Sequence, residues 1–388
     1  MKIALITGYF FKEMKEANKL TLMSLADYYK SKGHEVTILC SGGLNQKKFE
    51  KVEGIYLYRG PYWKTKYVVP IFHPGFIFNQ VFSPIIAYYN SRKKFDVIHS
   101  FSSSPLLALR SIIPKIFNPP LVAIHSIKSF SKYGGRNFFI KYIYLNILDV
   151  VITNLFIIKK YLVCNGVNNN KVKVIRSHIS ENIFYQKTAS EKRLLKKKYG
   201  YRKNKVVLYY GPLVDRKGIM YLIKSFSLVS EKYADAKLVL CCKHAVKLDE
   251  HINRVKRLMI MNNIDKSKVD FVKFGVNIED YVNIADVVVM PYPKLVGTEG
   301  NPSCILESMA CGTPVVTSDL PELREFLTDD EVYFAKAKDA KSLSEKISEI
   351  FVDKQLMNKK IINSLEKVKD FFTKKIAEIH LKLYEKLM

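Results

Sequence analysis

Short apolar runs alternate with segments of helical periodicity along most of the chain. In the first half, "KIALITG", "HEVTILC", "FDVIHSF" and "LDVVITN" are nearly continuous apolar runs. Between the first two, "NKLTLMSLADYYKSKG" repeats apolar residues at helical spacing and stops at Gly33. Unbroken apolar strands are typical of a parallel sheet covered by helices on both faces. The first half is therefore predicted to be a doubly wound α/β domain.

The second half repeats this layout. The runs "KVVLYYG", "AKLVLCC", "VDFVKFG", "DVVVMPY" and "EVYFA" predict strands, and helical segments separate them. A basic stretch at 188–205 lies between the two halves, so we place the domain boundary at about residue 190.

The predicted fold is α/β, with two Rossmann-like doubly wound domains that face each other across a cleft, followed by C-terminal helices. The domains are 1–190 and 191–365, and 366–388 is a C-terminal helix that packs back towards the first domain. A cleft between two such domains is a common place for a ligand.

Length and composition agree with this organisation. The chain has 388 residues, of which 48% are hydrophobic, enough for two cores. None of its six cysteines forms a Cys-x-x-Cys pair, so we expect reduced thiols and no zinc site. The N-terminus lacks the pattern of a signal peptide. We therefore predict a cytoplasmic protein.

The charge is strongly basic. The chain has 63 lysines and arginines against 36 acidic residues, a net charge of +27, and residues 1–185 carry +17 of it. Such a field favours polyanions or anionic membrane surfaces, although a lysine-rich proteome accounts for it equally well. A nucleic-acid-binding protein is a remote alternative, because the chain shows no zinc finger or RNA-recognition signature.

One long segment carries no charged side chain. Tyr67 to Ser91 contains neither acidic residues nor lysine or arginine, and basic residues flank it on both sides. Its prolines and central polar residues argue against a membrane span. A buried helix of the first domain is the favoured interpretation, and contact with a membrane surface is the alternative.

The stretch "TEGNPSCILESMACGTPVVTS" places Glu299 before a predicted helix and Glu307 on it. Asn301 is predicted to cap this helix, and Pro302 fits its first position. The helix is predicted to run from Ser303 to about residue 310. Its positive end can receive a phosphate, while a carboxylate beside it can accept hydrogen bonds from two neighbouring hydroxyls, as on a ribose. The pattern predicts a nucleotide-sugar site.

The wider string "ADVVVMPYPKLVGTEGNPSCILESMACGTPVVTSDLPELREFL" resembles the signature of the group 1 glycosyltransferases, a large retaining family with the two-Rossmann GT-B fold. The segments "KSKGHEVTIL", "FDVIHSFSSSPLLAL", "KVKVIRSHISENIF" and "VLYYGPLVDRKGIMYLIKSF" follow in the family's order and spacing. The resemblance therefore covers most of the chain.

The resemblance implies a role for each matched residue. Glu307 matches the carboxylate that binds the donor ribose, and Glu299 the one that faces the transferred sugar. Lys217 matches the lysine that contacts the donor diphosphate, and His125 a first-domain histidine near the reacting centre. Read without the family, Lys217 is an ordinary lysine at a helix start and His125 a satisfied strand-end histidine. The remaining donor contacts are expected at Gly300, Asn301, Ser303 and Gly211.

The sequence departs from the family at two places. The usual Gly-Arg of the diphosphate loop is Gly211-Pro212, and proline cannot supply a guanidinium to a diphosphate. Arg216 and Arg176 are the candidate replacements. In the first βα loop, the chain has Gly8 where many members have a pair of glycines, so Gly8 is the candidate acceptor or phosphate contact there.

The function that follows is transfer of a hexose-type sugar, with retention, from a nucleotide-diphosphate donor to a lipid-linked or polysaccharide acceptor. The nucleotide sugar is a co-substrate; no covalently bound cofactor, metal requirement or nucleic-acid partner is expected. The enzyme is expected in the cytoplasm, peripheral on the membrane face. The alternative, which rests on Pro212, is a catalytically weakened member that acts as a binding or scaffold protein.

Overall fold

The computed structural model of the protein describes residues 1–9, 17–43, 46–64, 73–102, 105–119, 121–127, 143–242, 248–272, 276–295 and 302–388. These residues form two compact units. Unit 1 comprises Met1–His178 and Thr373–Met388, and unit 2 comprises 179–295 and Pro302–Phe372. The change of unit after His178 precedes the boundary expected at about residue 190.

Unit 1 is built on an eight-stranded sheet in the order β3-β4-β2-β1-β5-β6-β7-β8. All neighbouring strands are parallel except β3 and β4. Its elements are β1 (Lys2–Tyr9), α1 (Ala17–Ser31), β2 (Glu35–Ser41), β3 (Phe49–Val52), β4 (Ile55–Gly60), α2 (Pro74–Ile77), α3 (Ser83–Asn90), β5 (Val97–Ser102), α4 (Leu109–Phe117), β6 (Val122–Ile127), β7 (Val150–Thr153), α5 (Phe156–Cys164) and β8 (Val172–Val174).

The last helix of the chain also belongs to unit 1. This helix, Thr373–Leu387, presents Ile376, Leu381 and Tyr384 to the same core as the β-strand residues Leu5 and Ile124. Apolar side chains at helical spacing and at alternate strand positions thus meet on one face of the sheet. We label this helix α14.

The antiparallel pair β3 and β4 forms a hairpin that the apolar pattern of the sequence did not predict. Its turn consists of Glu53 (φ 52°) and Gly54 (φ 82°). Positive φ at both central positions is the conformation of a two-residue hairpin turn that matches the twist of the strands, and glycine adopts it without steric cost.

Unit 2 is built on a six-stranded parallel sheet in the order β11-β10-β9-β12-β13-β14. Its elements are α6 (Ala189–Lys198), β9 (Lys205–Gly211), α7 (Ile219–Lys232), β10 (Ala236–Cys242), α8 (Leu248–Met261), β11 (Val269–Val272), α9 (Ile278–Ile284), β12 (Val287–Met290), α10 (Ser303–Ala310), β13 (Val315–Ser318), α11 (Pro321–Arg324), β14 (Tyr333–Ala335), α12 (Ala340–Val352) and α13 (Lys354–Val368). Two sheets of mainly parallel strands, with helices between the strands, confirm the predicted α/β class and the two Rossmann-like domains.

The uncharged segment Tyr67–Ser91 is described from residue 73 onwards. It continues from α2 through a π-helical turn, Phe78–Phe82, into α3, and it buries Val81, Ile85 and Ala87 completely or nearly so. This supports the buried-helix interpretation for that part, while residues 67–72 lie outside the described chain. Among the residues that the structure describes, no helix has the length and apolar character required to cross a membrane.

Candidate active site

The centre of unit 2 is the point where its sheet changes direction. From β9 the chain proceeds outwards through β10 to β11, and it then returns to the other side of β9 as β12. In open α/β sheets, ligands bind outside the carboxyl ends of the strands at such a switch point. The segments that leave β9 and β12 carry Lys217 and α10, so the topology brings together two of the predicted parts of the donor site.

Glu307 lies in α10 and is only 7% exposed, so it is not the solvated helix residue that an isolated glutamate would usually be. The hydroxyl of Tyr210, near the end of β9, is 3.0 Å from Glu307 Oε2 and 2.6 Å from the carbonyl oxygen of Cys304. Burial and the charge of Glu307 raise the pKa of Tyr210 well above its usual value, so the phenol stays protonated and donates. The carboxylate is thereby held at the carboxyl edge of the sheet.

Lys217 approaches the same place from β9. It lies at the end of a short 3₁₀ turn, Asp215–Lys217, and its Nζ is 4.9 Å from the centre of the Tyr292 ring. The next residue, Gly218, has φ +81°, and a Cβ there would lie 1.7 Å from the carbonyl oxygen of Pro291. Only glycine permits this close approach, which holds the Lys217 turn against the segment that follows β12.

Cys304 contacts the tyrosines that lie against the two charged groups. Its Sγ is 3.0 Å from the hydroxyl of Tyr292. The pKa of the thiol is raised to about 11, chiefly by burial; the charge of Lys217 opposes this rise and the charge of Glu307 adds to it. Tyr292 contacts Lys217 through its ring and Cys304 through its hydroxyl, while Tyr210 contacts the Cys304 carbonyl oxygen and Glu307. Lys217 and Glu307 are thus both connected to the first turn of α10. The family resemblance singled out Lys217 and Glu307 but neither tyrosine.

The start of α10 differs in detail from the prediction. Pro302 occupies the N-cap position instead of the first helical position, and its carbonyl oxygen accepts a hydrogen bond from the Ile305 N–H at 3.2 Å. Ser303 is the first helical residue, as predicted. Glu299, Gly300 and Asn301 lie outside the described residues, so their predicted roles, including the cap by Asn301, stay predictions.

The loop after β9 corresponds to the family's diphosphate loop and contains the departure at Pro212. Gly211 ends the strand with φ 139°, and the carbonyl oxygen of Pro212 accepts a hydrogen bond from the Tyr209 hydroxyl at 2.7 Å. Arg216 is exposed and adjacent to Lys217. Proline thus continues a loop closed by backbone and tyrosine contacts, while the nearest guanidinium in sequence is that of Arg216.

The remaining predicted residues belong to unit 1. His125 is fully buried within β6, and its ring nitrogens lie within hydrogen-bond distance of the hydroxyls of Ser100 and Ser102 on the neighbouring strand β5. Gly8 is in β1, where a Cβ would lie 2.0 Å from the side-chain oxygen of Gln80. These positions lie near the carboxyl edge of the unit 1 sheet.

Arg176 lines a small pocket, with a cavity volume of about 20 Å³, at that same edge of unit 1. It donates from Nη1 to the carbonyl oxygen of Asn154 at 2.8 Å, and its guanidinium lies 5.7 Å from the centre of the Phe156 ring. Asn154 is 2% exposed, and its Oδ1 has no hydrogen-bond partner among the described residues. The pocket therefore combines a cation with an unused acceptor, whereas the donor residues Lys217 and Glu307 belong to the other unit.

A metal centre would need several ligand side chains clustered around one point. Among the described residues, no group of three or more histidine, cysteine, aspartate or glutamate side chains has the arrangement to hold a metal ion. Glu299 lies outside these residues, so the absence of a metal requirement stays a prediction.

Two family models match the chain. The model of the glycosyl transferases group 1 matches residues 191–367, and that of glycosyltransferase family 4 matches residues 20–181. Together they span most of both units.

Similar proteins agree with these matches. The chain is 22% identical over 362 residues to the capsular polysaccharide biosynthesis glycosyltransferase CapM of Staphylococcus aureus, covering 90% of this chain and 89% of the relative. It is 26% identical over 227 residues to N,N'-diacetylbacillosaminyl-diphospho-undecaprenol alpha-1,3-N-acetylgalactosaminyltransferase of Campylobacter jejuni, covering 58% of this chain and 56% of the relative.

Solved structures share the fold at lower identity. The structure of Anabaena Alr3699/HepE in complex with UDP and glucose superposes with a TM-score of 0.77 at 16% identity and covers 100% of both chains. Sucrose-phosphate synthase from Thermosynechococcus elongatus superposes with a TM-score of 0.81 at 19% identity, covering 100% of this chain and 98% of that chain.

Proposed function

Because this chain belongs to the group 1 glycosyltransferases, we propose that it transfers a hexose-type sugar from a nucleotide-diphosphate donor bound in unit 2. The observation that carries the proposal is the buried carboxylate of Glu307, connected to Lys217 through Tyr210, Cys304 and Tyr292, at the switch point of the sheet. A carboxylate held there accepts hydrogen bonds from the two ribose hydroxyls. Lys217 and the first turn of α10 then neutralise the diphosphate.

The proposed reaction follows from these positions. The bond between the anomeric carbon of the sugar and the diphosphate oxygen breaks, the acceptor oxygen bonds to that carbon, and the hydroxyl proton is released. Negative charge grows on the leaving diphosphate, so Lys217 acts mainly in the transition state. Glu299 faces the transferred sugar and His125 the reacting centre. We propose retention of anomeric configuration from the family resemblance.

Arg216 and Arg176 divide the role of the missing loop arginine in this proposal. Arg216 is adjacent to Lys217 and contributes a second positive charge to the donor diphosphate. Arg176 lines the pocket of unit 1 and serves the acceptor or a diphosphate. At Gly211 and Ser303 the backbone comes close to the donor on either side. At Gly8 the backbone comes equally close to a ligand of unit 1.

For the acceptor we propose a lipid-linked or growing polysaccharide chain at the cytoplasmic face of the membrane. The relative from Campylobacter jejuni is named for a diphospho-undecaprenol acceptor and that from Staphylococcus aureus for capsular polysaccharide. The positive charge of residues 1–185 supports the proposal that the enzyme acts at an anionic membrane surface.

The test of the donor proposal is a thermal-shift panel of nucleotides and nucleotide sugars, followed by product formation with the donor that stabilises the protein. We expect one nucleotide diphosphate and its sugar to raise the melting temperature. Glu345→Ala, an exposed glutamate in α12, is the matched control for Glu307→Ala. Equal donor binding in both variants would overturn the assignment of Glu307.

The alternative is a weakened family member that binds a nucleotide sugar without transferring it. Pro212 in place of the arginine favours this alternative. Donor binding without donor-dependent product, across lipid-linked and oligosaccharide acceptors, would support it. Restoration of transfer by Pro212→Arg would identify the missing guanidinium as the cause.

A further inference from the structure

Helix α5 of unit 1 exposes a continuous apolar arc. Phe156 is 62% exposed, Ile157 36% and Tyr161 38%, and Lys160 and Cys164 are exposed as well. At about 100° per residue, these five positions fall on one side of the helix. The opposite side packs on the unit through Ile158 and Leu162, each 1% exposed. The arc is therefore outward-facing and is not part of the core.

The charges that lie at this arc are positive. Lys159 and Lys160 belong to α5 itself, and the guanidinium of Arg176 lies 5.7 Å from the centre of the Phe156 ring. An apolar helix face in such surroundings is complementary to an anionic bilayer.

The arc begins beside the polar pocket of unit 1. Phe156 follows β7 by a short loop, and its ring lies next to the guanidinium of Arg176, which lines the pocket together with Asn154. By contrast Phe117, which is 71% exposed, ends α4 just before β6 begins, at the amino edge of the sheet. Phe156 therefore borders the pocket of Arg176 and Asn154, whereas Phe117 lies at the opposite edge of the sheet.

We propose that α5 is the surface by which the protein docks on an anionic bilayer. Phe156, Ile157 and Tyr161 enter the interfacial region, and Lys160 pairs with lipid phosphates. Docking in this orientation brings the pocket of Asn154 and Arg176 to the level of the headgroups, where the polar head of a lipid-linked acceptor arrives. The inference rests on the proposed function only for the identity of that acceptor.

Cys164 allows a test without substitution. It is the only exposed cysteine of the six, and it lies within the arc. The native chain is labelled there with an environment-sensitive fluorophore and mixed with vesicles of phosphatidylcholine, with and without phosphatidylglycerol. We expect a blue shift with the anionic vesicles only, reversed as ionic strength rises from about 0.01 M to about 1 M. Co-sedimentation without a blue shift would place the contact elsewhere and overturn the proposal.

Substitutions give the second readout. In unlabelled protein, Phe156→Ser combined with Tyr161→Ser is expected to lower the partition into anionic vesicles by about tenfold or more, because two apolar rings no longer enter the interface. Phe117→Ser is the matched control and should bind as the wild type does. Equal losses in both variants, or no loss in the double variant, would contradict the assignment of α5. If the double variant does not fold, the labelled native chain decides alone.

Donor binding separates this proposal from the proposed function. The double variant is expected to keep the nucleotide-dependent thermal shift of the wild type, because α5 belongs to unit 1 and the donor residues to unit 2. Vesicle binding through α5 in a protein that binds no nucleotide would support the docking surface and contradict the donor site. Absence of vesicle binding at low salt would overturn the docking surface, regardless of the result of the donor-binding experiment.

Discussion

In unit 1 the buried tyrosines and histidines contact one another, whereas in unit 2 the tyrosines near the switch point contact Cys304 and Glu307. The hydroxyl of Tyr384 on α14 lies 2.6 Å from Nδ1 of His99 on β5, and the hydroxyl of Tyr29 on α1 lies 2.9 Å from Nδ1 of His380. These contacts join helices from opposite ends of the chain to one sheet. Tyr210 in unit 2 instead holds a carboxylate at the sheet edge.

The difference separates two uses of a polar side chain in the interior. In the tyrosine–histidine cluster of unit 1, donors and acceptors satisfy one another, which fixes the position of α14. In unit 2 the carboxylate and the ammonium group lie at the edge where a ligand can reach them. The predictions that follow test this contrast, beginning with the largest expected effect.

Removal of the Glu307 carboxylate should have the largest effect. Glu307→Ala is expected to lower donor affinity by roughly 150-fold or more, since two hydrogen bonds to a charged group contribute about 3–6 kcal/mol. Calorimetric titration with the nucleotide from the thermal-shift panel measures this, with Glu345→Ala as the control. A folded Glu307→Ala protein with wild-type affinity would remove Glu307 from the site.

Removal of the Lys217 charge should act on the rate more than on binding. Lys217→Ala is expected to lower kcat by about 10²–10³-fold, or about 2.7–4 kcal/mol, because one preorganised charge on the leaving group is lost. Initial rates at saturating donor measure this effect. Lys224→Ala, an exposed lysine on α7, is the matched control. If Lys217→Ala turns over at the wild-type rate, the role passes to Arg216, and Arg216→Ala then becomes the slow variant.

In unit 1, loss of one buried hydroxyl should lower stability and leave the donor site intact. Tyr384→Phe removes the hydrogen bond to His99 and leaves a buried ring nitrogen without this partner, at a cost of about 1–3 kcal/mol in the free energy of unfolding. Chemical denaturation measures the loss, and nucleotide affinity should equal that of the wild type. A fall in nucleotide affinity would show that the network of unit 1 also supports the donor site.

The contrast between the units also bears on what could be predicted from the sequence. Buried parallel strands such as β1, β9 and β12 were predictable because continuous apolar runs between helical segments are typical of strands covered on both faces. Glu307 and Lys217 were identified by resemblance, since their motifs are local in sequence. Their physical partners, Tyr210 and Tyr292, were missed, because the contact of each depends on which strands are neighbours in the sheet.

The sequence contains local signals for two elements that we did not predict. The hairpin of β3 and β4 turns on Glu53-Gly54, a dipeptide that favours positive φ less clearly than Asn-Gly does. Helix α6 lies inside the basic stretch interpreted as a domain boundary, and Thr188 and Glu191 form a capping box at its start. The high charge and the lack of apolar runs indicated a linker. The capping box was the better signal of a helix, because its side chains satisfy the free backbone N–H groups at the helix start.

Loss of a tyrosine hydroxyl in unit 2 should have the smallest effect, but it tests the contrast between the two units most directly. Tyr210→Phe removes a hydroxyl that lies against both Glu307 and the Cys304 carbonyl oxygen. One donor is lost from a carboxylate that keeps its charge, so we expect donor affinity to fall by about two- to tenfold, the equivalent of one ordinary hydrogen bond. The free energy of unfolding should fall by about 1 kcal/mol or less, because phenylalanine preserves the packing of the ring. Affinity and stability are measured on the same preparation, beside Tyr384→Phe. If Tyr210→Phe loses stability and keeps full donor affinity, Tyr210 is structural like Tyr384, and the contrast between the two units does not hold.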